Sequence, residues 1–417
     1  MSDDVQLVRE SFDRIRRRAD HVVRYFYAHL FFHCPESRQL FPEDMSEQFD
    51  RLFGALGHIV SQLDDPDLPA FLTRLGRDHR KFGIARHQYE AVGRSLLAAV
   101  RFGSGSAWDS ATEAAWCAAY EAAAKAMLHG AEEAEARYEP AWWDASVVGH
   151  RLHEGHTAVL KVRTDEPYPY RAGQYATVHS PQLPGVWRPY SLASAPAPGA
   201  PLEFHVARAD GGKLSSLLCD RTAPGDKLQL GPASGAVTMG EVPQGQGVTL
   251  VAAGSGWAQM KAILESLVDR EPRPGTRVYF VARSRRHFYD IEAMTSFADR
   301  YPDLEVSWWC PEWGEQPGKT EQRLRSALAV RDDWGSQQVR ISGPAPFVKR
   351  LRDLFFELGV ARDRVMHDPL PPNAAQRKRH ITPAEHFLAP RPVPWIDPTE
   401  RGTSTDVETE VPYFPAD

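Results

Sequence analysis

Three short segments contain residue types that can hold a phosphate-bearing cofactor. The run RPYSLAS (188–194) joins a guanidinium, which can bind a phosphate through two parallel hydrogen bonds, to an aromatic ring and a hydroxyl group. In GGKLSS (211–216), two glycines permit a close backbone approach, and the amides of a following helix can bind a pyrophosphate. The segment VTLVAAGSGWAQMKAI (248–263) has the pattern of a strand, a glycine turn and a helix. Taken alone, each glycine segment is also explained by an ordinary turn.

His79 is a candidate metal ligand, because a neutral imidazole nitrogen can bind a metal ion. A single histidine at the end of a helix is more often a surface or capping residue than a ligand. Its role therefore depends on the wider pattern of the helical part, in which Tyr27, Phe41 and Gln48 are further candidates. Core packing would explain Tyr27 or Phe41 taken singly, so only the set as a whole is informative.

The chain that must position these residues divides into three regions with different sequence patterns. Apolar residues at three- and four-residue intervals from Val8 to Leu30 mark one buried stripe, and further helices are expected at roughly 46–62, 68–78, 86–101 and 109–136. Short, partly alternating runs between 157 and 230, separated by Gly/Pro turns, predict an antiparallel β-barrel. After Gly245, apolar strands followed by helices predict a parallel α/β nucleotide-binding domain.

The fold class is therefore multidomain. The expected bounds are 1–138 for the all-α domain, 142–242 for the barrel and 245–370 for the α/β domain, followed by a Pro-rich tail at 371–417. Four isolated cysteines without a CxxC pair favour a reducing compartment, and a net charge of −6 gives no reason to expect nucleic-acid binding. The charged first residues do not resemble a signal sequence, and no apolar run is long enough to span a bilayer. A cytoplasmic protein is expected.

The segments together resemble the bacterial flavohaemoglobins, in which a globin domain precedes a ferredoxin-reductase-type module. RYFYAHLFFHCPESRQLFPEDMSEQF (24–49), DHRKFGI (78–84) and HQYEAVGRSLL (87–97) are similar to the globin domain over nearly its full length. AGQY (172–175), RPYSLAS and GGKLSS stand in the order of the FAD-binding barrel, and the strand–turn–helix at 248–263 with SGPAPF (342–347) resembles the nicotinamide-binding domain. The resemblance implies haem b, FAD and NADH or NADPH as cofactors.

The resemblance also implies a role for each matching residue. His79 would be the proximal ligand of the haem iron, and Tyr27 and Gln48 would donate hydrogen bonds to bound O2. Phe41 would wedge the haem and Leu52 would narrow the distal pocket, while Tyr89 and Glu132 are expected on the proximal side. The residues expected to bind FAD or the nucleotide are Gln174, Tyr175, Arg188, Pro189, Tyr190, Ser191, Gly211, Gly212, Lys213, Ser215, Gly254, Gly256, Ser342, Gly343 and Asp368. Among them, Tyr190 would lie against the isoalloxazine ring and Ser191 would approach its N5.

Two departures from the family pattern concern the haem. Asp78 stands directly before the proximal histidine, where family members with strong nitric oxide dioxygenase character usually carry a lysine. Counting without gaps places Ala131 where the family has the glutamate that partners this histidine, with Glu132 one residue further. Because one residue is about 100° around a helix, Glu132 reaches the proximal side only if the helix shifts.

Further departures concern the nucleotide end. Ala258 and Gln259 follow the second glycine without the family's proline, and Ser342 replaces the family's cysteine. Leu370 stands where an aromatic residue would cover the flavin, and Phe387 of the tail is a candidate substitute. The three arginines of ARSRRHF (282–288), namely Arg283, Arg285 and Arg286, either bind the 2′-phosphate of NADPH or form a solvated basic loop.

The function implied by the resemblance is electron transfer from NADH or NADPH through FAD to haem, where O2 reacts with nitric oxide to give nitrate. A monomer acting on these small molecules is expected. One alternative keeps the cofactors but uses another electron donor or acceptor, with little turnover of nitric oxide. A second alternative is a haem-based redox or oxygen sensor that signals to a partner through the tail at 371–417.

Overall fold

The computed structural model describes residues 2–42, 45–154, 157–311 and 319–368, and its first part is helical. The helices are α1 (Ser2–Ile15), α2 (Ala19–His33), α3 (Ser46–Ser61), α4 (Leu68–His79), α5 (Arg86–Ser104) and α6 (Ser110–Ala136). The stripe predicted from Val8 to Leu30 is buried, but a 3-10 turn at Arg16–Arg18 divides it between α1 and α2. The apolar side chains of the stripe form one core with α3, α5 and α6.

Helices α4 and α6 touch along their backbones. A Cβ atom on Gly76 of α4 would lie 1.9 Å from the Met127 carbonyl oxygen of α6, and one on Gly130 of α6 would lie 2.0 Å from the Thr73 carbonyl oxygen of α4. Any side chain at either glycine would force the helices apart. This contact fixes the position of α4, whose last residue is His79.

Within the described residues, six strands form an antiparallel sheet in the order β4-β3-β6-β1-β2-β5. The strands are β1 (Trp143–His153), β2 (Thr157–Thr164), β3 (Tyr175–His179), β4 (Trp187–Ser191), β5 (Leu202–Ala207) and β6 (Lys227–Leu230), with α7 (Lys213–Asp220) between the last two. A bridge between Leu192 and Phe204 joins the end of β4 to β5, so the sheet curls towards the expected barrel. Strand β1 comes before the first run that the sequence predicts as a strand, which begins at residue 157.

The third part is a parallel sheet in the order β11-β10-β7-β8-β9. Its strands are β7 (Gly247–Ala253), β8 (Thr276–Val281), β9 (Glu305–Trp309), β10 (Gln337–Ser342) and β11 (Val365–Met366). Helices α8 (Trp257–Val268) and α9 (Ile291–Arg300) pack in one apolar cluster, and α10 (Lys319–Ala329) and α11 (Ala345–Glu357) pack in another. Ligands of such sheets bind at the carboxyl ends of the strands.

Two findings concern the limits of the described chain. Leu370 and the tail at 371–417, including Phe387, lie outside the described residues. Within the described ranges, each helix is too short or too polar to cross a bilayer. The helical and sheet-forming parts together, up to Asp368, form one compact unit.

Candidate functional site

His79 ends α4 with its ring held in one orientation. Its Nδ1 lies 2.8 Å from the Leu75 carbonyl oxygen, and because a carbonyl only accepts, Nδ1 carries the proton. Nε2 therefore keeps its lone pair. Burial lowers the pKa of His79, so the neutral form predominates near pH 7. A neutral imidazole with a locked tautomer is the donor that a haem iron requires.

Helices α2 and α3 bring Tyr27 and Gln48 together. Tyr27 is 4% exposed, and its ring packs 5.3 Å from that of Phe41 and 5.4 Å from that of Phe49. Burial raises the pKa of Tyr27 to about 12, and a hydrogen bond with Gln48 opposes this rise. The phenol is therefore a neutral donor at physiological pH. Phe41 and Leu52 remain half-buried beside the helical core, which leaves apolar surface for a flat cofactor.

The structure does not bring Glu132 to His79. The Glu132 carboxylate lies 2.6 Å from the Arg86 guanidinium, and both side chains are more than half exposed. Helix α6 turns this residue towards the start of α5, as expected for a residue one position out of register. The expectation that Glu132 partners the proximal histidine is therefore corrected.

Tyr89 lies half-buried in the first turns of α5, and its backbone carbonyl accepts a hydrogen bond from the Tyr120 hydroxyl. Burial raises the pKa of the Tyr89 phenol, so this group is a neutral donor. Tyr89, Tyr120 and Glu132 line one open groove of about 520 Å³ between α5 and α6. The two residues expected on the proximal side are thus neighbours of each other.

Strands β3 and β4 place the predicted flavin residues side by side. Tyr175 pairs with Ser191, and Pro189 pairs with Thr177. Burial raises the pKa of Tyr190, whose ring packs against the core of the sheet. Arg188 donates to the Trp187 carbonyl at 3.0 Å. The order of these side chains along β4 suits a phosphate at one end and a flat ring at the other.

The turn before α7 is a candidate phosphate cradle. Gly211 has a positive φ of 72°, and a Cβ atom on Gly212 would lie 2.4 Å from the Ser215 hydroxyl. The Ser215 hydroxyl accepts from the Ala209 amide at 3.1 Å and so shapes the turn. Lys213 begins α7, whose first amides point into this turn. The arrangement fits the pyrophosphate of FAD.

The two glycine turns of the parallel sheet meet. Gly254 and Gly256 form a 3-10 turn between β7 and α8, and Ser342 pairs with Ala252 at the neighbouring strand end. A Cβ atom on Gly256 would lie 2.4 Å from the Ser342 carbonyl oxygen and 2.8 Å from the Gly343 amide. The contact places both predicted nucleotide motifs at the carboxyl ends of adjacent strands, which is the site expected for a nicotinamide nucleotide.

The basic loop after β8 lies at this same edge of the sheet. Arg283, Arg285 and Arg286 are all exposed, and β8 pairs with β7. Their guanidinium groups are exposed to solvent and can therefore contact a nucleotide bound at this edge. Both interpretations of this loop stay open.

Gln259 is a site residue that the sequence reasoning missed. Its side chain is fully buried and donates to the Gly173 carbonyl at 2.7 Å and to Asp368 Oδ2 at 2.8 Å. Gly173 belongs to the AGQY segment, so this amide joins the antiparallel sheet, α8 and the end of the parallel sheet. The sequence gives one sign that this residue is unusual, which is the absence of the family's proline at this position.

Two buried oxygens beside this amide have no hydrogen-bond partner among the described residues. They are Asp368 Oδ1 and Gln259 Oε1. Burial raises the pKa of Asp368, and the bond from Gln259 opposes the rise. Asp368 Oδ1 and the Tyr175 ring both lie within 4 Å of the position that a Cβ atom on Gly235 would take. Acceptors left open beside Tyr175 fit a bound ring that offers N–H groups, as a flavin does.

Comparison with known proteins matches three families in order along the chain. The Globin family matches residues 24–127, the Oxidoreductase FAD-binding domain matches 146–238, and the Oxidoreductase NAD-binding domain matches 250–353. These matches follow the helical part, the antiparallel sheet and the parallel sheet.

Similar proteins span the whole arrangement. The flavohemoprotein of Bordetella pertussis is 27% identical over 387 residues, covering 86% of this chain and 95% of the relative. That of Rhodopirellula baltica is 26% identical over 396 residues, covering 87% and 96%. The structure of a flavohemoglobin from Malassezia yamatoensis with bound FAD and heme has a TM-score of 0.69 at 16% identity, covering 89% of this chain and 99% of the other. This structural likeness shows a shared fold.

Proposed function

Since the chain belongs to the flavohaemoglobin family, and is an oxidoreductase that uses NAD(P)H, FAD and haem, we propose that it acts as a nitric oxide dioxygenase. The reaction combines nitric oxide, O2 and one electron to give nitrate. The observation that carries the proposal is the buried Tyr27 phenol, hydrogen-bonded with Gln48 in an apolar surrounding. A neutral donor there stabilises negative charge that develops on bound O2.

When bound, the nicotinamide and FAD would supply hydride and single-electron chemistry, and haem would supply an iron that can bind O2. The chain supplies the positions. His79 offers Nε2 to the iron while Leu75 holds the other nitrogen. Arg188 and the turn at Gly211 and Gly212 would bind the phosphates of FAD, and Tyr190 and Ser191 would hold its ring.

Tyr27 would act as a fixed donor in the distal pocket. Its pKa of about 12 keeps the proton on the phenol throughout the physiological range. The bond with Gln48 restricts rotation of the hydroxyl, and the surrounding rings of Phe41 and Phe49 exclude water. A donor in such a place is stronger than the same group in water.

Asp368 and Gln259 would provide two further acceptors for the bound cofactors. Their oxygens are buried without a partner among the described residues, and they would accept hydrogen bonds from N–H groups of the flavin or of the nicotinamide once binding gives access to them. The Gln259 amide fixes the carboxyl group relative to Gly173, so both acceptors are held in one place. A bound ring that satisfies both oxygens gains affinity, because a buried acceptor without a partner is unfavourable.

The test is nitric oxide consumption by the purified holoprotein with O2 and either NADH or NADPH. Because each hydride carries two electrons and each nitrate uses one, two nitrates should form per nicotinamide oxidised. Tyr27→Phe should lower the rate about 100-fold at equal haem and FAD content. Consumption no faster than that of ferrous globin with a separate reductant would overturn the proposal.

A second candidate function is supported by the proximal side. The Nδ1 proton of His79 goes to a neutral carbonyl, and the Glu132 carboxylate is paired with Arg86 instead. A carbonyl draws this proton less strongly than a carboxylate does, so less charge reaches the iron. This arrangement favours a reductase that passes its electrons to another acceptor. NAD(P)H oxidation that another acceptor stimulates and nitric oxide does not would select this candidate.

A further inference from the structure

Lys81 is buried at the contact between the helical part and the antiparallel sheet. Its side chain is only 2% exposed and follows α4 by two residues. The ammonium group lies 2.6 and 2.7 Å from the two Asp78 carboxylate oxygens and 2.9 Å from the Thr177 hydroxyl of β3. A buried ammonium is unfavourable unless its hydrogen bonds are satisfied. Here the partners come from both sides of the contact.

The same ammonium lies against two aromatic rings. It is 5.2 Å from the ring centroid of Phe82 and 5.2 Å from that of Trp187. One ring belongs to the helical part and the other begins β4. Cations so placed are attracted to both ring faces, most strongly where water is excluded.

Phe82 continues this contact towards His79. Its ring centroid is 5.7 Å from that of His79 and 6.5 Å from that of Trp187. Trp187 directly precedes Arg188 of the flavin motif and stacks on His179 at 4.9 Å. A row of rings therefore runs from the candidate iron ligand to the strand that holds the flavin residues.

The sheet side of the contact is closely packed. A Cβ atom on Gly231 would lie 2.3 Å from the Thr177 hydroxyl, and 3.6 Å from both Asp78 Oδ1 and the Lys81 side chain. The absence of a side chain at 231 thus makes room for the ion pair to approach β3.

We propose that Lys81 is a positioning residue for electron transfer. With Asp78 and Thr177, it holds the His79–Phe82 segment against β3 and β4, and so fixes the separation of haem and flavin. In the step that it supports, one electron leaves the reduced flavin and arrives at ferric iron, with NAD(P)H as the source. Tunnelling between cofactors weakens steeply with distance. The proposal rests on the oxidoreductase activity of the chain and is independent of nitric oxide.

Lys81→Met tests the proposal, because methionine keeps most of the length and loses the charge. The holoprotein is mixed with NAD(P)H without O2, and haem reduction is followed by its absorbance in a stopped-flow instrument. We expect haem reduction to slow about ten-fold or more, since a displacement of about 1 Å at a reacting centre can cost 100-fold. Reduction of added ferricyanide, which takes electrons from the flavin directly, should keep its rate.

Two further variants separate position from folding. Lys81→Arg restores a cation and should recover most of the rate of haem reduction. Lys227→Met is the matched control, because the Lys227 ammonium is exposed and binds only the Ser146 hydroxyl in the described contacts; it should behave as the wild type. Unchanged haem reduction in Lys81→Met, at normal haem and FAD content, would overturn the proposal.

Hydrogen exchange gives a readout that needs no turnover. In Lys81→Met, backbone amides of 175–191 should exchange faster than in the wild type, because the helical part no longer covers β3 and β4. If Lys81→Met does not fold, Thr177→Val removes one acceptor at constant shape and should give a smaller change in the same direction. Normal exchange and normal haem reduction in that variant would contradict the inference. Failure to consume nitric oxide would leave these results unaffected.

Discussion

At the scale of single residues, Gln259 controls the state of Asp368. The carboxyl group is buried, which raises its pKa, and the amide of Gln259 is the hydrogen-bond donor that limits the rise. The same amide donates to Gly173, so a change at 259 acts on the flavin side and on the nucleotide side together. A buried amide that donates to acceptors on two different domains needs both acceptors in place, whereas a proline would need neither.

Gln259→Met should therefore raise the pKa of Asp368 further. Because the protonated form would then persist to higher pH, the acidic limb of the pH profile for flavin reduction by NAD(P)H should move to higher pH. The loss of two buried hydrogen bonds should lower the free energy of unfolding by about 2 kcal/mol. Stopped-flow flavin reduction and chemical denaturation measure the two effects.

Gln338→Met serves as the control for this variant. The Gln338 amide bonds only to the half-buried Gln246 side chain in the described contacts, away from both glycine turns. Its pH profile should overlay that of the wild type. A Gln259→Met profile that also overlays the wild type would show that Asp368 takes no part in flavin reduction.

At the scale of elements, the crossing of α4 and α6 determines where His79 lies. Gly76 is three residues before His79, and the α6 backbone leaves no room for a Cβ atom there. Gly76→Ala should separate the two helices, lower the free energy of unfolding by about 3 kcal/mol and weaken haem retention. Gly54→Ala in α3, where no atom lies within 4 Å of the new Cβ, should instead stabilise by about 0.5 kcal/mol.

Thermal unfolding and the haem content after purification measure both glycine variants. Loss of haem in Gly76→Ala with an unchanged helical circular dichroism spectrum would locate the effect in the position of α4. Equal haem content and stability in Gly76→Ala and Gly54→Ala would contradict the close crossing.

The elements also show what sequence patterns can report. The parallel strands and the helices α3, α5 and α6 follow from apolar periodicity, since each packs on the core of its own part of the chain. The break at Arg16–Arg18 could not be predicted from this periodicity, because apolar spacing of three or four residues continues through a short 3-10 turn. Strand β1 carries a bulge between Val147 and Gly149, which interrupts the alternation that would have predicted it.

The candidate site divides in the same way. His79, Tyr190 and the glycine turns sit in local segments whose pattern can be recognised. Lys81 and Gln259 look like surface residues in the sequence, because charged and amide side chains usually are. Both become buried where a second domain packs over them. The local periodicity of the sequence does not report such a long-range contact.

At the scale of the whole molecule, a buried ion network joins the antiparallel sheet to the parallel one. The Glu203 carboxylate of β5 lies 2.8 Å from the Lys261 ammonium of α8 and 2.9 Å from His205 Nε2. His205 Nδ1 in turn lies 2.9 Å from the Tyr289 hydroxyl. All four side chains are mostly buried, so the cost of removing the Glu203 carboxylate and the Lys261 ammonium from water is offset only while the two sheets stay together.

This network predicts the acid stability of the molecule. Burial alone would raise the pKa of Glu203, but the bonds from His205 and Lys261 outweigh it and lower the pKa to about 2, from an ordinary value of 4.5. Because the folded-state pKa is depressed, the stabilisation is complete above about pH 4.5 and is lost as the pH falls towards 2. Glu203→Gln should therefore lose about 3 kcal/mol of unfolding free energy at pH 7, and the difference from the wild type should shrink steadily below pH 4.5.

A matched control distinguishes the buried interactions of Glu203 from an exposed ion pair. Glu292→Gln removes a carboxylate that is 87% exposed and 3.2 Å from Arg151, and such pairs contribute about 0.5 kcal/mol or less. Urea denaturation followed by tryptophan fluorescence, repeated from pH 7 to pH 3, compares both variants with the wild type. A Glu203→Gln deficit that stays constant with pH would show that the carboxylate stabilises the sheets by packing and not by charge.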